Sequence, residues 1–101
     1  MSYLLKKDSR ILSDIEEALS YYDAISLELE EKFESTLIHA INKIENHPHH
    51  YFNLNQKLRR INLQSFPYKL IYVVKEQTKE IIVLGLFHHY RSSKEIRRRL
   101  K

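Results

Sequence analysis

Apolar positions recur at helical spacing through the first half of the chain and at strand spacing through the second. Tyr3, Leu4 and Leu5 read as a short opening strand, after which Asp8 or Ser9 can accept hydrogen bonds from the free N–H groups of a helix start. Ile11, Ile15, Ala18 and Tyr22, flanked by Leu12 and Leu19, form one helical stripe, with Asp14, Glu16 and Glu17 on the other side. Phe33, Leu37, Ala40, Ile41 and Ile44 repeat the pattern, and Ser26 stands where it can cap this second helix. That helix must end near Asn46 or His47, because Pro48 disfavours helical geometry in the residue before it and has no N–H of its own. The pattern predicts a helical hairpin.

After a polar connector, His49 to Lys57, the period falls to two. In Leu58 to Leu63, Arg59, Ile61 and Leu63 share one face and Leu58, Arg60 and Asn62 the other, so one arginine projects from each face. Phe66 to Lys75 is rich in aromatic and β-branched residues, and Glu76 to Lys79 is a polar turn into Glu80 to His88, which completes a hairpin. IIVLGLF is apolar on both faces, the mark of a central strand covered on each side. The tail RSSKEIRRRLK is helix-capable: Ser92 or Ser93 can cap it, and Ile96 and Leu100 lie one turn apart. The fold class that follows is α+β: an N-terminal strand and a helical hairpin packed on one face of a mainly antiparallel four-stranded sheet, with a basic C-terminal tail or short helix.

The length, 101 residues, accommodates one domain, 1–101, and not two. Cysteine is absent, which excludes disulfides and thiolate zinc sites and makes the cytoplasm the default compartment. MSYLLKKDSR lacks the apolar core of a signal peptide, and no apolar run approaches the length of a membrane span. Charge changes the picture more. Residues 1–50 carry five Lys/Arg against ten Asp/Glu, and residues 51–101 carry twelve against three, so a net −5 half is joined to a net +9 half. Such asymmetry points to a basic surface that meets a polyanion or an acidic protein, or to an ordinary solvated basic face. The histidines His47, His49 and His50 lack the ligand spacing of a zinc site, and no metal or small-molecule cofactor is expected.

The order strand, helix, helix and three antiparallel strands, with Arg59, Arg60 and Ile61 on one strand, FPYKLIYVV (Phe66, Pro67, Tyr68, Tyr72) on the next and IIVLGLFHHYR closing the sheet, resembles the RelE/ParE toxin superfamily. The resemblance spans nearly the whole chain. It implies a toxin encoded beside its antitoxin in a type II module and causing growth arrest. Members similar to RelE cut messenger RNA on the ribosome, whereas those similar to ParE poison DNA gyrase without a nuclease site. The FPY segment leans towards ParE-like and plasmid-stabilisation proteins; the His88, His89, Tyr90 ending leans towards the nucleases, from which the chain departs by continuing eleven residues further. The partners implied are a cognate antitoxin and either DNA gyrase or ribosome-bound mRNA, with no membrane. Outside the family, the basic and aromatic composition alone fits a small RNA-binding module without catalysis.

Cleavage through the RNA 2′-hydroxyl requires a base, a cation on the crowded phosphate and an acid for the departing 5′-oxygen. Histidine suits the proton transfers and arginine the phosphate. On the nuclease reading, Arg60 (or Arg59) and Arg91 stabilise charge, His89 or His88 is the general acid, and Glu45 is the base by family analogy. Tyr90 can stack on an unpaired base. Arg97, Arg98 and Arg99 can bind phosphates or dock an acidic antitoxin segment. The plainer alternatives are a sheet-edge cation for Arg59 and Arg60, a strand-end residue with a satisfied hydrogen bond for one of the two histidines, and a solvated tail for the three arginines.

Overall fold

A computed structural model of the protein describes residues 3–53, 58–91 and 93–99. Its elements are β1 (Leu4–Lys7), α1 (Arg10–Asp23), α2 (Leu27–Asn46), β2 (Phe52–Asn53), β3 (Leu58–Asn62), β4 (Tyr68–Lys75), β5 (Glu80–His88) and α3 (Ser93–Arg99). The strands form one sheet in the order β1-β5-β4-β3-β2. All neighbours are antiparallel except β1, which runs parallel to β5. The α+β class with its helical hairpin holds, but the strand count rises from four to five. The added strand is β2, two residues of the polar connector pairing Phe52 with Arg60 and Asn53 with Arg59. Ser92 and Leu100, invoked for the tail helix, lie outside the described residues.

Both helices start as their sequences dictate. The Asp8 carboxylate accepts the Arg10 N–H at 2.9 Å, while Ser9 at the cap position makes no side-chain bond. The Ser26 hydroxyl accepts the Leu29 N–H at 3.1 Å. The apolar stripes of α1 and α2 then close over one face of the sheet, burying Ile11, Ala18, Phe33, Leu37 and Ile44 against Leu70, Tyr72, Ile81, Val83 and Leu86. An aromatic cluster anchors the start of α2: Phe33 stacks on Tyr22 at 5.0 Å, and Phe66 meets both rings edge-on. Tyr72 is fully buried, and its hydroxyl donates to the Pro48 carbonyl at 2.8 Å, tying the end of α2 to the sheet; burial pushes this phenol up to about 12. On the opposite face Ile96 of α3 covers Ile71 and Phe87, so β5 is covered on both sides as its sequence requires.

One irregularity decides where the functional candidates lie. Ile71 pairs with Gly85 and Tyr72 with Val83, so Leu84 is an extra residue, a β-bulge. Before the bulge Ile81 and Val83 face the hairpin; after it Leu86 does, while Phe87 turns to α3. Unbroken alternation from Ile81 would carry His88 to the α3 face. The bulge returns it to the hairpin face, opposite its register partner Tyr68.

Candidate functional site

The chemistry-bearing residues of the C-terminal half gather at the end of β5. Three backbone hydrogen bonds hold the turn there: His89 N–H to the Pro67 carbonyl at 2.8 Å, Arg91 N–H to the His88 carbonyl at 3.0 Å, and Tyr90 N–H to Nδ1 of His88 at 3.1 Å. Because Nδ1 accepts that bond, the neutral His88 ring carries its proton on Nε2. His88 is half-buried and meets the Tyr68 ring edge-on at 5.1 Å. On its other side lies Tyr90, tilted by 31° at 4.6 Å and 91% exposed. His89 is exposed, as is Arg91, which faces Glu95 at 3.9 Å. A cleft of about 70 Å³ between α1, the end of β5 and α3 is lined by Asp14, Glu17, Tyr68, His88, Arg91 and Arg99.

Asp14 does not lie on the polar outside of α1. Its side chain is largely buried, its Oδ2 accepts the Leu86 N–H at 3.1 Å, and both oxygens accept from Arg99 at 3.0 and 3.1 Å. The position was readable, since Asp14 falls with Ile11, Ile15 and Ala18 at i+3, within the stripe itself. Arg99 is therefore spent on structure: besides Asp14 it donates to the Arg10 carbonyl at 3.2 Å and lies 5.4 Å over the Phe87 ring. Gly85 belongs to the same clasp. A Cβ there would stand 2.7 Å from the Phe87 ring and 3.3 Å from Asp14. Arg97 and Arg98 remain exposed.

The two arginines of β3 part company as their alternation predicts. Arg59 donates to the carbonyls of His49 at 3.1 Å and Tyr51 at 3.0 Å, which fixes the connector and occupies its guanidinium. Arg60 points to the α3 face and lies 4.4 Å over the Phe52 ring. Lys69 is beside it, its ammonium lowered by burial and by the Arg60 charge, a second cation that sequence reasoning passed over. Arg60 and His88 consequently occupy opposite faces of the sheet. Glu45 is exposed near the end of α2, whereas Phe33, 5.4 Å from Tyr68, marks where that helix passes the His88 end. The rise from Phe33 to Glu45 is roughly 18 Å. The structure thus brings His88, His89, Tyr90 and Arg91 together and leaves Arg59, Arg60 and Glu45 apart from them. Among the described residues there is no group of three or more His, Cys, Asp or Glu placed to hold a metal, and no helix long and apolar enough to cross a membrane.

The family model of the ParE toxin of the type II toxin-antitoxin system, parDE, matches residues 6–92. The chain belongs to the ParE toxin family. Solved structures share the toxin's fold at low identity. A chain of the chromosomal ParDE system from P. aeruginosa superposes with a TM-score of 0.69 at 17% identity, covering 86% of this chain and 96% of its own. A double mutant of the E. coli toxin RelE in the free state gives 0.62 at 19%, covering 97% and 98%. A chain of the RelBE2 toxin-antitoxin complex from Mycobacterium tuberculosis gives 0.61 at 12%, covering 87% and 99%. A search of curated proteins returned no match to the sequence. The ParE and RelE branches thus share this architecture, and architecture does not select between their activities.

Proposed function

We propose that this ParE-family toxin arrests growth by binding and inhibiting DNA gyrase, and that a cognate antitoxin protein holds it in check until the antitoxin is removed. The observation that carries the choice of binding over cleavage is the division of the nuclease candidates between two faces of the sheet. Arg60 is engaged with Phe52 on the α3 face, while His88 faces the hairpin. A general acid and the cation meant to stabilise the same phosphate must converge within hydrogen-bond reach of one reacting group. The family match points the same way. On this reading the His88–Arg91 turn is a rigid recognition feature: Tyr90 is held out into solvent by its bond to His88 and flanked by Arg91, and tyrosine and arginine are the residue types that dominate binding energy at interfaces.

A RelE-like, metal-independent cleavage of ribosome-bound mRNA is the second reading. It is favoured by one feature, the gathering of an imidazole, a stacking ring and Arg91 at one strand end. The test is induced expression in a bacterial host, with plasmid supercoiling and mRNA 5′ ends followed together. Gyrase inhibition predicts arrest with lost supercoiling and unchanged message ends. New message ends with supercoiling intact would overturn it.

A further inference from the structure

On the side of the molecule away from β5, a groove of about 180 Å³ runs between α2 and β3, and nothing in the gyrase reading uses it. Its α2 wall is Ser35, His39 and Lys43, its floor is Ala40 and Ile61, and Asn62 and Gln64 form the other wall. Beside it the sheet is open. The Leu63 N–H donates to the Tyr68 carbonyl, so in β3 the odd-numbered residues bond inward to β4 and the even-numbered ones turn their N–H and C=O outward. β2 covers Arg59 and Arg60 and stops there, which leaves the outward groups of Asn62 at an edge that no described residue pairs.

We propose that the groove seats an extended acidic peptide segment, added as a short strand on the Asn62 edge with its carboxylates turned to Lys43 and His39. The spacing fits a strand. Ser35, His39 and Lys43 stand at i, i+4 and i+8, about 6 Å apart along the helix axis, and alternate side chains of a strand are separated by about 6.6 Å. Side chains on one face of the added strand meet the three α2 residues in turn. The lining fits carboxylates: it carries no acidic side chain, Lys43 and His39 supply donors, and the Thr36 hydroxyl beside them is already spent on the Lys32 carbonyl. Flanking Glu31 and Glu34 on α2 disfavour a nucleic acid strand, charged at every residue, relative to a peptide charged at alternate ones. The groove stands on its own geometry; only the source of the segment, the antitoxin, rests on the reading of the chain as a neutralised toxin.

The test uses the full chain and a synthetic peptide of alternating Glu and Thr with blocked ends, followed by amide chemical shifts. The expected result is saturable shifts confined to Ser35–Lys43 and Ile61–Gln64. A Lys–Thr peptide should bind at least tenfold more weakly. Lys43→Glu should weaken the Glu–Thr peptide about tenfold, and Asn62→Pro, which removes an outward N–H and leaves the ladder to β4 intact, about fivefold; circular dichroism and melting verify that both variants fold. Equal binding of the two peptides, shifts elsewhere on the surface, preference for a single-stranded oligonucleotide, or concentration-dependent shifts of the protein alone that mark a second copy in the groove would each overturn the proposal. Growth arrest is scored separately. Arrest without peptide binding removes the groove and leaves the toxin; peptide binding without arrest removes the toxin reading and leaves the groove a peptide site.

Discussion

The two faces of the sheet are finished by different means. The hairpin face is sealed by two long helices whose apolar stripes bury whole side chains, Phe33, Ile11, Ile44 and Tyr72 among them. The other face carries one short helix, α3, which buries Ile96 against Ile71 and Phe87 and is fixed at its end by the Arg99–Asp14 pair. Beside it lie Arg60 and Lys69. One face is thus held by packing and the other by a small apolar contact with a charged clasp. Stability concentrates in the first, and cations stay available on the second and along its rim.

The largest effect should come from the packed face. Phe33→Ala removes the ring shared by Tyr22, Phe66 and Tyr68 and is expected to cost about 3–5 kcal/mol in denaturant unfolding. Breaking the clasp should be milder and more local. Asp14→Ala leaves the Leu86 N–H and the Arg99 guanidinium without their acceptor and is expected to cost about 2 kcal/mol, with hydrogen exchange accelerated in α3 and at Leu86 but little changed in α2. Equal acceleration in α2 would contradict the division between faces. Arg60→Ala and Tyr90→Ala, on the open side, should change stability by no more than about 0.5 kcal/mol.

Acid should sharpen the same contrast, because the lowered carboxyls lie at the rim. The Arg10 side chain holds the Asp8 carboxyl at about 2, the Tyr3 hydroxyl lowers Glu76, and Lys6 lowers Glu80. A carboxyl lowered in the folded state contributes stability above its unfolded value, and that contribution is lost as pH falls through the folded one. The melting temperature should therefore hold from neutral pH down to about pH 5 and fall between about pH 4 and pH 2. Asp8→Asn should flatten the decline. A fall that begins above pH 6 would assign the sensitivity to histidines instead. The smallest expected effect is at Ser65, whose φ of 68° is left-handed: Ser65→Gly should raise stability by a few tenths of a kcal/mol, up to about 1 kcal/mol.

Much of this architecture was legible because it rests on period and punctuation. The stripes of α1 and α2, the Ser26 cap, the Pro48 stop and the splitting of Arg59 from Arg60 all follow from local sequence. Three features did not. β2 is two residues long, too short to show alternation. Asp14 sits in an apolar stripe, and its acceptors' partners, Leu86 N–H and Arg99, come from more than seventy positions away. The bulge at Leu84 shifts the alternation in a strand apolar on both faces, where a slip by one residue leaves no polar trace. That bulge decides on which face His88 lies, and with it whether the nuclease candidates meet.

The central claim is that the toxin acts by binding its target rather than by assembling His88 or His89 with Arg60 around a scissile phosphate. The most direct measurement is supercoiling of relaxed plasmid by purified gyrase with added toxin, run beside mRNA 5′-end mapping on translating ribosomes. The account predicts that supercoiling is inhibited, that His89→Ala and Arg60→Ala inhibit as the parent does, and that messages stay uncut. Unaffected gyrase with new message ends that disappear in His89→Ala and Arg60→Ala would contradict it.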